Sequence, residues 1–114
     1  MHKHALELKF PRNGQYPEQM FSFCKDIAFL EQLCQAGFDT CSFVLVADDP
    51  LFYQGDASKG IYQFFRDRSP LKGVIAKPTG KRDETITLTR EYALHWKPVT
   101  GMMKYGEIEI KGGG

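Results

Sequence analysis

Glu7 and Lys9 stand one residue apart in the run Ala5-Leu6-Glu7-Leu8-Lys9-Phe10. In an extended strand successive side chains leave opposite faces, so the carboxylate and the ammonium share a face, roughly 7 Å apart at Cα. Leu6, Leu8 and Phe10 take the other face. A carboxylate so placed can bind a hard cation such as Mg²⁺ or Mn²⁺, and the Leu8 carbonyl between the pair can add a second oxygen. The lysine can orient or deprotonate a water and balance charge building on a phosphate. That set suits hydrolysis of a phosphodiester. By chance the same spacing occurs often on a solvated strand face with a mild charge pair.

The elements that would position these residues follow from the pattern around them. Pro11, Asn13 and Gly14 end the first strand. Pro17 suits the first turn of a helix and Gly37 its end. Between them Met20, Phe23, Cys24, Ile27, Leu30 and Cys34 form an apolar stripe at helical spacing. Phe21, Phe29 and Leu33 lie outside it, so the helix is apolar almost all round and needs a second packing partner besides a sheet. The run Phe43-Val44-Leu45-Val46 reads as a strand buried on both faces. Strand, helix, strand is a βαβ unit with parallel neighbouring strands and a right-handed crossover. Beyond Asp49-Pro50 the pattern predicts a loop, a short helix or irregular aromatic segment from Ile61, and a strand from Gly73. A polar turn holding Pro78 and Gly80 follows. The stretch "TITLTREYALHWKPV" then alternates at first, with Ile86 and Leu88 opposed to Thr87 and Thr89. A last strand sets Ile108 and Ile110 against Glu107 and Glu109. Residues 1–111 read as one domain and Gly112 to Gly114 as a flexible tail.

The segment Ala5 to Tyr53 resembles the PD-(D/E)XK nuclease superfamily, whose fold is restriction-endonuclease-like. "ELKF" ending a strand, the helix "FSFCKDIAFLEQL" and the strand "SFVLVADDPLFY" carry the likeness, in that order. The resemblance implies an α/β fold, a mixed sheet with a βαβ core. It implies Glu7 as metal ligand, Lys9 as catalytic residue, Mg²⁺ or Mn²⁺ as cofactor and DNA as substrate. In that family the "PD" aspartate, a central metal ligand, sits in a hairpin before the ExK strand. Only Met1 to His4 precede the strand here, so the domain is expected to be incomplete at its N terminus. The chain then reads as a fragment of a longer product, as a degenerate relative, or as a protomer completed by a homodimeric or other partner chain at the ExK strand edge.

Asp48 and Asp49 fall at the C-terminal end of the second strand, where open α/β sheets gather ligands. They are candidate surrogate ligands, or simply the start of a turn before Pro50. Asp26 lies in the helix, and Glu31 projects into its apolar stripe, where a carboxylate needs an anchoring partner, a place in the site, or exposure at the helix rim. His2 and His4 fall on the Leu6 face, away from Glu7 and Lys9. Arg12, Arg66 and Arg68 are the leading candidates for phosphate-backbone contacts, with Tyr62, Phe64 and Phe65 interleaved.

The chain has 114 residues and a formal net charge of +1, so no global basic field announces nucleic acid and any such role needs a local patch. Three cysteines without a CxxC pair or signal peptide predict reduced thiols in a cytoplasmic protein. No apolar run approaches the ~20 residues of a membrane span. The reading is an endonuclease-like protein, weakly active or inactive as the chain stands. Its alternative is a non-catalytic nucleic-acid-binding or protein-interaction domain that keeps the nuclease fold.

Overall fold

A computed structural model describes residues 2–11, 14–55, 60–66, 70–77 and 84–112. Strand β1 (His4–Lys9) runs into helix α1 (Tyr16–Gln35) and then strand β2 (Thr40–Ala47). A 3-10 turn at Pro50–Phe52 and a short helix α2 (Tyr62–Arg66) follow. Next come β3 (Leu71–Ala76), β4 (Thr85–Tyr92), β5 (Trp96–Thr100) and β6 (Met103–Lys111). The architecture is mixed α/β: a four-stranded sheet in the order β1-β2-β6-β5, and a two-stranded sheet of β3 and β4. β1 and β2 are parallel, as the βαβ reading required, and the remaining pairings are antiparallel.

Helix α1 holds the fold together. Its stripe residues Met20, Phe23, Cys24, Ile27, Leu30 and Cys34 are all buried, packing on Cys41, Phe43 and Leu45 of β2 and Ile108 and Ile110 of β6. Phe23 also meets Phe43, Phe52 and Phe65 at ring-centroid distances of 6.1–6.2 Å. The second partner that its all-round apolar character demanded is the β3–β4 hairpin, which closes another flank. Phe21 is buried, while Phe29 stays exposed. Glu31, 4% exposed, is an anchor between the two layers. Its carboxylate accepts hydrogen bonds from the Thr89 and Arg90 backbone amides at 2.9 and 3.1 Å and from the Tyr92 hydroxyl at 2.5 Å.

One local expectation is corrected, and two local features are new. β2 is covered on one face only: Cys41, Phe43, Leu45 and Ala47 are buried, whereas Val44 and Val46 on the other face are half-buried. The stretch after Thr85 is two strands, because Ala93 to His95 leave the ladder and drop Leu94 into the core. β1 also turns its apolar side outward. Parallel pairing sets Ala5, Glu7 and Lys9 opposite Cys41, Phe43 and Leu45, and neighbours across a ladder share a face. Glu7 and Lys9 therefore face α1, and Leu6, Leu8 and Phe10 remain 67%, 62% and 56% exposed. At the other end, the Gly112 amide donates to the Asp39 carbonyl at 2.7 Å.

Candidate active site

The connection from β1 to α1 shapes the site. Gly14 and Gln15 both take positive φ, +93° and +48°, so the chain passes through two successive left-handed residues. For Gln15 that conformation costs on the order of 1–2 kcal/mol. The Gln19 side-chain amide donates to the Gly14 carbonyl at 2.6 Å and fixes the bend. Pro17 then starts α1. An open cleft of about 490 Å³ lies between this bend and the helix, lined among others by Lys9, Gln15, Gln19, Ser22 and Phe23. Among the described residues Lys9 is the one charged residue in its lining.

The Lys9 ammonium is held from behind by two carboxylates. Glu7 Oε1 is 3.2 Å away on the same strand, and Asp26 Oδ2 is 3.3 Å away on α1. Asp26 Oδ2 is buried, and the Lys9 ammonium is its charged neighbour. Lys9 is raised above the usual lysine pKa, first by the hydrogen bond to Glu7 and then by the charge of Asp26, against the opposing effect of burial. Asp26 is also raised, because burial outweighs the stabilising charge of Lys9. At neutral pH Lys9 is therefore a firmly charged cation.

The other candidates are placed differently. Asp49 caps the 3-10 turn, accepting from the Leu51 amide at 3.0 Å, and also accepts from the Tyr16 hydroxyl. Asp48 is exposed and lies three residues past Leu45, the register partner of Lys9. That puts it about 10 Å farther along the strand, so neither residue joins Glu7. Arg66 spends its guanidinium on the Leu51 carbonyl at 2.6 and 2.9 Å and stacks over Tyr62 at 4.0 Å. Arg12 and Arg68 lie outside the described residues. His2 pairs with Asp39 at 3.7 Å and stacks on His4, away from Lys9.

Asp26 is the site residue that sequence reasoning left unassigned. Its signal was a place beside the apolar stripe, three residues after Phe23, in a helix that had to cross back over β1. Among the described residues no group of three His, Cys, Asp or Glu side chains gathers as a metal site. Glu7 and Asp26 nevertheless offer two carboxylates, both beside the Lys9 ammonium. That donor set fits a hard, water-rich cation such as Mg²⁺, which accepts one or two carboxylates and keeps several waters. No family model, curated protein or solved structure matches the chain.

Proposed function

We propose that the protein is an endonuclease-like domain of restriction-endonuclease-like type, related to metal-dependent phosphodiesterases acting on DNA. The observation that carries this reading is the position of Lys9, backed by Glu7 and Asp26 and facing a cleft at the C-terminal end of β1 whose other described lining residues are uncharged. Lys9, held charged, positions a water or a phosphate oxygen and stabilises the negative charge that grows there during hydrolysis. Its raised pKa keeps it protonated at neutral pH, a hydrogen-bond donor and electrostatic partner rather than a base. Glu7 with the Leu8 carbonyl would hold Mg²⁺ or Mn²⁺, with Asp26 as the nearby second carboxylate. Such a metal supplies an acidified water and a Lewis acid for the phosphoryl oxygen. With so sparse a ligand set, the 114-residue chain is weakly active or inactive.

The test is cleavage of plasmid and single-stranded DNA with Mg²⁺ or Mn²⁺ against EDTA. Metal-dependent nicking that falls roughly 100-fold in Glu7→Ala and Lys9→Ala supports the proposal. Cleavage indifferent to both substitutions overturns it. A second reading, a non-catalytic interaction domain, is favoured by the exposed Leu6, Leu8 and Phe10 on β1. It gains if no cleavage is seen while binding to DNA or protein persists in EDTA.

A further inference from the structure

We infer that β1 is a self-complementary edge through which two copies of this chain form a continuous sheet by antiparallel β1–β1 pairing centred on Leu8. The inference does not depend on whether Glu7 and Lys9 hydrolyse anything. β1 is the terminal strand of its sheet and, among the described residues, pairs only with β2. Its free side presents backbone donors and acceptors as a template for another strand. An exposed apolar strip lies on its outer face.

The order of residues selects the occupant. Around Leu8 the sequence reads Leu6-Glu7-Leu8-Lys9-Phe10. A two-fold axis through Leu8 sets Glu7 of one copy opposite Lys9 of the other, twice, on the α1 side. On the outer face it sets Leu8 opposite Leu8 and Leu6 opposite Phe10. Opposite charges and apolar pairs across strands both stabilise a sheet. Neighbouring registers lose this match: an axis through Glu7 puts like charges face to face, as does one through Lys9. An axis between two residues sets charge against leucine. Pro11, with no amide hydrogen, ends the pairing on each side. A strand pair this short buries less than a standard protein interface, so the association is weak and concentration-dependent.

Sedimentation velocity of the full chain over a wide concentration range tests the proposal. A reversible monomer–dimer equilibrium is expected, with Leu8→Lys, Glu7→Lys and Lys9→Glu each weakening it at least about tenfold. Mixing Glu7→Lys with Lys9→Glu restores a heterodimer, because each like-charge clash becomes an opposite-charge pair. Circular dichroism verifies that each variant folds. In a second measurement, Leu8→Cys forms an intermolecular disulfide under mild oxidation, whereas Val74→Cys, equally exposed on β3, does not. A monomer at every concentration overturns the proposal. So does a dimer that tolerates Leu8→Lys or is not rescued by mixing, since it uses another surface.

Discussion

The Lys9 ammonium on β1 lies 3.3 Å from Asp26 Oδ2 on α1, tying the edge strand to the helix. The pair joins residues far apart in sequence. It also fixes how the lysine enters the cleft.

Lys9 should titrate above 10.5 in the folded protein. Its raised value means that its pairing stabilises the fold fully below the unfolded pKa and that this contribution is lost as pH rises through the folded one. Side-chain NMR of Lys9 reads the midpoint directly. Glu7→Gln lowers it by removing the largest contribution, and Asp26→Asn lowers it as well.

Asp26 has the same linkage sign, at the acid end of the scale. Its folded pKa is raised above 3.8, so the folded state holds the proton more tightly and stability declines as pH climbs through that interval. Urea unfolding of wild type and Asp26→Asn should coincide near pH 3. At pH 7 the variant should hold a relative gain, since the raised value already includes the favourable charge of Lys9. An unchanged difference between the two pH values contradicts this account.

Glu31→Ala leaves two backbone amides and the Tyr92 hydroxyl without their acceptor. The expected cost is about 2–4 kcal/mol in urea unfolding. Amide exchange at Thr89 and Arg90 should accelerate more than exchange in β2 or β6. Glu31→Gln retains an acceptor and costs less.

All three cysteines are buried and unbridged. Burial pushes Cys41 up to about 11, and Cys24 is raised by the same cause. A thiol reagent at neutral pH should therefore label the native protein slowly and reach all three sites on unfolding. The Sγ atoms of Cys34 and Cys41 are 3.3 Å apart, so strong oxidants acting on the loosened chain should join that pair first.

The sequence made α1 legible because it carries more apolar residues than one sheet face can cover, and the hairpin supplies the rest. Glu31 was legible for the same reason, since a carboxylate in an apolar stripe needs partners and finds three. Ile108 and Ile110 lie inside, with Glu107 and Glu109 outside, by plain alternation. The orientation of β1 was not legible from its own residues. Leucines at alternate positions normally mark the covered face, but the register with β2 decides, and it turns Glu7 and Lys9 inward. Asp26 escaped notice because its role depends on which residue of α1 passes over Lys9, a matter of tertiary docking rather than local pattern. The break between β4 and β5 depends on Leu94 reaching the core, which also lies outside strand periodicity.

β6 has one further consequence, for synthesis of the chain. It lies between β2 and β5, and Thr40 pairs with Lys111. On the ribosome, β1, α1 and β2 emerge well before the strand that must zip along the bare side of β2. At ordinary elongation rates that wait is roughly 3–13 s. During it the nascent chain shows a second unpaired edge, and its folding is paced by translation rather than by local helix formation.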